Sequence, residues 1–280
     1  MKNYQYDINK VLSYIDFHLH EKQDLDTLAK VAHLSKFHFH RIMKAYLNEA
    51  LGSYINRLRL ETGAKLLCYS DHSITDIAYK VGYDTPSAFN KGFKKIFNVS
   101  PKAFREDKTK TLKQKRSITI AQDFQLVKTT KHVEPIRVIF QRSKGRIGEI
   151  ATQNNWQLLF DYVNQKQFIT SATRFIGISW DDPAITKEQE VRYDACISIE
   201  EKYTNIAEHS TKVISGGRYL CFLYKGDYQN LDLVYMQIFK NWILNGGYNL
   251  REEPVFEQYL NNKAIYPKEE LLTEIYIPIE

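Results

Sequence analysis

One phrase is written twice in the first third of the chain. Residues 35–49 read SKFHFHRIMKAYLNE, and residues 84–99 read DTPSAFNKGFKKIFNV. From Ser35 and Thr85 onward the copies keep a constant offset of 50, pairing Phe39 with Phe89, Lys44 with Lys94, Leu47 with Phe97 and Asn48 with Asn98. Apolar residues recur at helical spacing in both copies, and the exposed remainder is basic. The fold must therefore hold two equivalent short helices at a set separation. A basic helix repeated after a helical spacer suits contact with two successive turns of one DNA duplex.

The flanking segments complete each copy. Residues 8–20 place Ile8, Val11, Leu12, Ile15 and Leu19 on one helical face. Residues 24–34 predict a helix with Asp26 as its cap and Leu28, Ala29 and Val31 inward, followed by a helix capped by Ser35 with Phe39, Ile42, Met43 and Tyr46 inward. The second copy runs through residues 74–82, a turn at Gly82, and a helix from Thr85 to Phe97, with Ala78 in the part of Ala29. Residues 51–69 form the connecting rod, with Ile55, Leu58 and Leu66 buried; Gly63 weakens that rod by about 1 kcal/mol relative to Ala.

Reading helices of this kind enter the major groove with their N-terminal halves. The groove-facing candidates are Lys36, Phe37, His38, His40 and Arg41, then Thr85, Pro86, Ser87, Asn90 and Lys91. Arg41 and Lys91 can donate to guanine, Asn90 can pair with adenine, and Phe37 can lie on a thymine methyl. Lys44, Lys94 and Lys95 stand where phosphate contacts set register. A single basic helix is most often a solvated face; two at matched positions, each behind a short helix with a buried Ala, point to a shared partner. His38 and His40 come without the Cys or carboxylates of a closed ligand set, so neither a metal nor another cofactor is expected.

Charge divides the chain in the same place. Residues 1–116 carry 21 Lys/Arg against 12 Asp/Glu, a net +9, and the remainder carries 18 against 21, a net −3, together the +6 of the whole. The first part fits a polyanion; the second has another task. No apolar run spans a bilayer and residues 1–8 lack a secretion signal, so a cytoplasmic protein with no membrane partner is expected. The cysteines Cys68, Cys196 and Cys221 are distant and odd in number, which speaks for buried thiols over a disulfide framework.

Residues 106–118, EDKTKTLKQKRSI, have no periodicity and predict a linker, placed at 109–120 between domains of 1–108 and 121–280. Beyond it a looser repeat begins: IRVIFQRSKG at 136–145 answers GRYLCFLYKG at 217–226. Amphipathic helices with aromatic inner sides follow at 156–163 and 235–243, then extended segments at 174–180 and 192–199, and at 255–260 and 274–279. The fold class is thus an all-α N-terminal domain with two helix-turn-helix units joined by a long helix, and an α+β C-terminal domain made from a duplicated strand-helix-strand-strand unit. Alternation puts Ile275, Ile277 and Ile279 on one face, Glu274, Tyr276 and Pro278 on the other, and Glu257 with Val255 and Tyr259. Carboxylates beside aromatic rings suit a cationic organic guest, although either glutamate can equally face water. Trp180, Tyr193, Tyr219, Phe222 and Tyr224 can line a pocket or fill a core.

The N-terminal segment, residues 8–108, resembles the DNA-binding domain of AraC/XylS-type transcription regulators. The residues that carry the likeness are Ile77, Ala78, Gly82, Tyr83, Ser87, Phe89, Phe93, Lys94, Ser100, Pro101, Phe104 and Arg105. The resemblance implies a monomeric domain with two units joined by one helix, placing both reading helices in neighbouring major-groove segments on one DNA face. It also implies base-facing roles for Phe37, His40, Arg41, Pro86, Ser87, Asn90 and Lys91. Asn48 and Asn98 stand where the family has Gly, Met43 where Phe is usual, and Gly92 interrupts the second reading helix. Asn tolerates the left-handed conformation such a position asks for.

Residues 119–280 resemble the GyrI-like effector-binding domain, chiefly through REEPVFEQY at 251–259 and EIYIPI at 274–279. That implies an acidic, aromatic-lined cavity between two halves, with Glu274 and Tyr276 as its carboxylate and ring and Glu257 next. The expected function is a sequence-specific transcription regulator of promoter DNA modulated by a small, cationic organic effector, with RNA polymerase as a further partner. Two alternatives stand beside it. One is a C-terminal domain that is ligand-free or docks a protein; the other is a small-molecule hydrolase. Against an enzyme, the chain has no Gly-x-Ser-x-Gly elbow, His-Glu-x-x-His pair or phosphate loop.

Overall fold

The computed structural model describes residues 4–107, 124–145, 150–182, 185–203, 206, 210–243 and 246–280. The chain divides into two compact units, Met1–Ser117 and Ile118–Glu280. The linker expected at 109–120 lies outside the described residues.

The first unit is all-α: α1 Tyr4–Phe17, α2 Leu25–Val31, α3 Lys36–Leu47, α4 Leu51–Tyr69, α5 Ile74–Lys80, α6 Pro86–Phe97, and α7 over 101–107. The two reading helices are equal in length and sit at the offset of the sequence repeat. Ser35 and Thr85 cap them by accepting from the backbone N–H of His38 and Ala88. Both end on left-handed asparagines, Asn48 at φ 57° and Asn98 at φ 61°, which frees the chain to turn. The cap of α2 is Asp24, not Asp26; its Oδ1 accepts from the N–H of Asp26 at 2.7 Å and of Thr27 at 3.2 Å. Asp26 falls in the first turn instead, where a carboxylate suits the helix dipole. The first helix starts earlier than its periodicity suggests and stops at Phe17, leaving Leu19 to pack from the connector.

Phe39, Met43 and Leu47 of α3 join Leu28, Ala29, Tyr54 and Leu58 in one core. Phe89 and Phe93 of α6 are buried in the second helix-turn-helix, with Phe93 5.5 Å from Phe89 and 5.2 Å from Phe104, ring to ring. On α4 it is Leu67 that is buried, with Leu66 half-exposed. Gly63 is not a weakness there: a Cβ would sit 2.8 Å from Cε2 of Phe89, so its absence lets α6 close on the rod. Gly92 leaves α6 unbroken.

The second unit is one antiparallel eight-stranded sheet in the order β1-β6-β8-β7-β3-β4-β2-β5. Its strands are β1 Leu126–Val133, β2 Ile136–Lys144, β3 Phe175–Ser179, β4 Arg192–Ser198, β5 Ser210–Ile214, β6 Gly217–Lys225, β7 Val255–Tyr259 and β8 Leu272–Pro278. Helices α8, Ile150–Gln165, and α9, Leu231–Ile238, follow β2 and β6; α9 runs on through a π-helical turn at Phe239–Ile243. The strand-helix-strand-strand unit is thus present twice, as β2-α8-β3-β4 and β6-α9-β7-β8. Each copy also receives an edge strand from the other: β1 pairs with β6, and β5 with β2. A pseudo-two-fold axis runs between β3 and β7, where Gly177 lies opposite Glu257.

Register fixes two faces. On one, α8 covers Ile139, Ala195 and Ile197, and α9 covers Leu220, Phe222, Ile275 and Ile277. The other face buries Val138, Phe140, Ile176, Ile178, Tyr219, Phe256 and Tyr276. Among the described residues no helix packs into this second cluster, yet it is buried, because the sheet curls. Residues 134–135 join the end of β1, at one edge, to the start of β2, beside the other edge, and residues 215–216 do the same for β5 and β6. Such connectors span at most about 11 Å, so the two ends of the sheet must meet.

Candidate functional sites

On the first unit, Lys36, Phe37, His38, His40, Arg41 and Lys44 of α3 are exposed, as are Thr85, Ser87, Asn90, Lys91, Lys94 and Lys95 at the α6 end; Pro86 is half-buried. The buried stripe of each helix turns these residues outward at equivalent positions: Phe37 with Ser87, His40 with Asn90, Arg41 with Lys91. Phe37 is 66% exposed with no core role, and the Arg41 guanidinium lies 5.5 Å from its ring centre. Lys36 is drawn back to Asp26 at 2.6 Å. The Nδ1 of His38 lies 3.2 Å from the hydroxyl of Ser35, beside the helix cap.

Arg59 is a residue that sequence reasoning missed. From the flank of α4 it donates to three backbone carbonyls, those of Leu19, Glu21 and Gly82. Nothing in its sequence spacing singles it out from Arg57, which instead bonds Glu49 and Glu61 within its own neighbourhood.

In the second unit the structure separates the expected ligand residues into three places. Glu257 and Tyr193 meet on the helix-covered face, at the pseudo-two-fold axis. Glu257 is fully buried. Its Oε1 accepts from the hydroxyl of Tyr235 at 2.6 Å and of Ser179 at 3.4 Å, and its Oε2 from Tyr259 at 3.4 Å. The hydroxyls of Tyr193 and Tyr259 are 3.0 Å apart. Gly177 makes room for this cluster: a Cβ there would lie 2.8 Å from Oε2 of Glu257 and 2.6 Å from the Tyr259 hydroxyl. Burial raises the Glu257 carboxyl to about 7 even though three hydroxyls favour its charged form. Burial, reinforced by Glu257, also holds the Tyr193, Tyr235 and Tyr259 phenols well above their ordinary range. Trp156 of α8 and Tyr228 close over Tyr259, ring centres 5.7 and 5.1 Å away. The result is a buried carboxyl ringed by hydroxyls, whose charged form a cationic guest would stabilise. Tyr235, Tyr259 and Trp156 carried a signal in the aromatic inner sides of their elements, but only the register brings them to Glu257.

Glu274 and Tyr276 lie on the opposite, concave face, Tyr276 stacked on Phe256 at 4.4 Å and 6.0 Å from Tyr219. Glu274 accepts from Lys131 at 2.6 Å and from the Tyr276 hydroxyl at 2.5 Å. They border a depression of about 380 Å³ with Lys131, His132, Arg174 and Gln258. Tyr219 is buried and donates to the carbonyl of Ser215 at 2.7 Å. Trp180 belongs to a third place. Its Nε1 donates to Asp194 at 2.6 Å, and Asp194 also takes a two-pronged bond from Arg142 at 2.7 and 2.9 Å and a contact from Lys212. Burial would raise the Asp194 carboxyl, but Arg142 and Lys212 overcome it and hold the group well below the carboxylate range. Among the described residues no three His, Cys, Asp or Glu side chains gather as a metal site, and no helix is long and apolar enough to cross a membrane.

The chain thus combines two paired helix-turn-helix units with a duplicated, curled sheet that holds a buried carboxyl at its axis. Residues 129–280, more than half the chain, match the family described as the GyrI-like small molecule binding domain, and residues 28–107 match a helix-turn-helix domain family. The chain belongs to the GyrI-like family, and its N-terminal segment is a helix-turn-helix domain of the AraC/XylS type. It is 37% identical over 102 residues to the HTH-type transcriptional regulator YbfP of Bacillus subtilis (strain 168), covering 36% of this chain and 35% of that protein. It thus spans about a third of that relative's length. With the transcriptional regulator Rob of Salmonella typhimurium it shares 26% identity over 227 residues, 78% of each chain. The DNA-binding domain of AdpA, solved in complex with a target DNA, is 28% identical, covers 39% of this chain and 98% of that one, and superposes with a TM-score of 0.38.

Proposed function

We propose that residues 1–108 read promoter DNA through α3 and α6, and that residues 121–280 bind a cationic aromatic effector over Glu257. Arg41, His40 and Phe37, and Lys91, Asn90 and Ser87, are the base-facing groups, with Lys44, Lys94 and Lys95 on phosphates. The observation that carries the effector reading is the fully buried Glu257, ringed by Tyr193, Tyr235 and Tyr259 at the pseudo-two-fold axis. A cation seated there takes the place of a proton, while the rings supply contact area and cation–π attraction. Glu257 is fully buried, with the rings of Trp156 and Tyr228 packed on Tyr259 beside it, so binding requires side chains around it to swing aside. We place the protein in the cytoplasm, where promoter DNA and RNA polymerase are its partners, and take the effector to shift the balance between two promoter-bound states.

The test is calorimetric titration of the full chain with tetraphenylphosphonium, then promoter binding with and without it. The expectation is heat of binding with wild type, a loss of about tenfold or more with Glu257→Gln, and altered DNA affinity or transcription. The closed rings favour one other reading, a C-terminal domain that stays ligand-free or docks a protein. Absence of heat, with DNA binding and transcription unchanged, would decide for it.

A further inference from the structure

Arg59 links the two helix-turn-helix units through backbone alone. Its Nε donates to the carbonyl of Leu19 at 2.9 Å and Nη2 to that of Glu21 at 2.6 Å, both in the connector leading to α2. Its Nη1 donates to the carbonyl of Gly82 at 2.8 Å, in the turn between α5 and α6. Gly82 has φ 86°, and a Cβ on it would fall 2.8 Å from the carbonyl oxygen of His20 and 2.9 Å from Cζ of Arg59. Connector and turn therefore touch, with the guanidinium wedged between them. Next in the turn, the Tyr83 hydroxyl donates to Asn56 of α4 at 2.5 Å, and its ring packs 5.5 Å from Phe89 of α6. Each anchor point lies within a few residues of a helix that carries or positions a reading helix: α2 begins at Leu25 and α6 at Pro86.

A rod such as α4 fixes how far apart two units stand, but not how each hairpin is rotated about it. A planar fork bonded to both units at once does fix that angle, which a single ammonium cannot. Two linked binding modules gain from each other only while their geometry lets both engage together. We propose that Arg59 is a positioning residue for DNA recognition: it locks the mutual placement of α3 and α6, and so sets the one half-site spacing that both can read. This rests on the reading of α3 and α6 as the base-facing helices.

The test begins with duplexes selected from a random library by the full wild-type chain. Affinities are then measured for the selected site, for sites lengthened or shortened by one base pair between half-sites, and for sites with one half scrambled. Wild type is expected to lose about tenfold or more on the spacing change. Arg59→Gln should bind the scrambled, single half-sites as wild type does, lose most of the gain from the second half, and show a spacing penalty of about twofold or less. Arg59→Lys keeps the charge and should behave like Arg59→Gln, with the salt dependence of wild type; Gly82→Ala should move the same way. Retention of the full spacing penalty by a folded Arg59→Gln chain overturns the proposal, as does an equal loss on single half-sites and full sites. Should Arg59→Gln lose its helical circular dichroism, Arg59→Lys decides on the same two readings, and unfolding of both makes Arg59 a stability residue and overturns it. A wild-type chain indifferent to spacing would remove the two-helix reading itself.

Discussion

Glu257→Gln should change how the stability of the C-terminal unit depends on pH. The folded carboxyl sits at about 7 against an ordinary 4.5. Between those values the folded state binds a proton that the unfolded state has released, so stability must fall as pH rises through that window. Below pH 4.5 the group is neutral in both states and imposes no penalty. Above 7 the penalty is complete, and at 1.36 kcal/mol per pH unit it amounts to about 3 kcal/mol. The neighbouring Tyr193, Tyr235 and Tyr259 stay protonated throughout and add no slope of their own. Glutamine keeps the shape and most of the hydrogen bonding without a charge to bury. The assay is urea unfolding of the full chain at pH 5 and pH 8, followed by tryptophan fluorescence, for wild type and variant. Subtracting the two pH differences cancels the histidines, and since nearly 1 kcal/mol of the penalty is already present at pH 5, the variant should gain about 2.5 kcal/mol relative to wild type on going to pH 8. An identical pH difference in both proteins would refute the reasoning, for it would mean that Glu257 is already ionised in the fold or reaches water.

Asp194→Asn removes the carboxylate that the buried Arg142 and Lys212 share and should cost about 3–5 kcal/mol by urea unfolding, whereas the triple change Arg142→Leu, Asp194→Leu, Lys212→Met should restore stability to within about 1 kcal/mol. Arg41→Ala should weaken specific binding by about 1–3 kcal/mol and relax choice at one base in a selection experiment. Lys94→Ala should weaken all duplexes alike and flatten the salt dependence; identical behaviour of these two variants would contradict the division of readers from clamps.

Much of the first unit was legible because its information is local. Caps, apolar spacing and the repeat offset place α3 and α6, and Asn48 and Asn98 end them as their side chains permit. What local reading missed depends on contact between distant residues. Gly63 looks like a flaw until Phe89 arrives against it, and Arg59 looks like a surface cation until Gly82 is beside it. In the second unit β1 and β5 escaped notice because neither shows an apolar pattern: β1 buries little of LVKTTKHV at 126–133, and β5 turns the polar Ser210 and Lys212 inward beside Ile214. Alternation along β7 and β8 assigned faces within each strand. Only the pairing of Glu257 with Ile275 and of Gln258 with Glu274 shows that the two glutamates point to opposite sides of the sheet. The Asp194 cluster is of the same kind, gathered from β2, β4 and β5 and from Trp180 just past β3.

The crossed-over edge strands bear on the ancestry of the domain. Each repeat lends its opening strand to the other, so neither is whole by itself, and a half-length forebear would have had to clasp an identical molecule to complete its sheet. Fusion of two such genes turns that handshake into a single chain. The seam then falls at the axis, where one copy offers a glycine and the other a glutamate, so the place where the two repeats face each other is also where they have ceased to be alike.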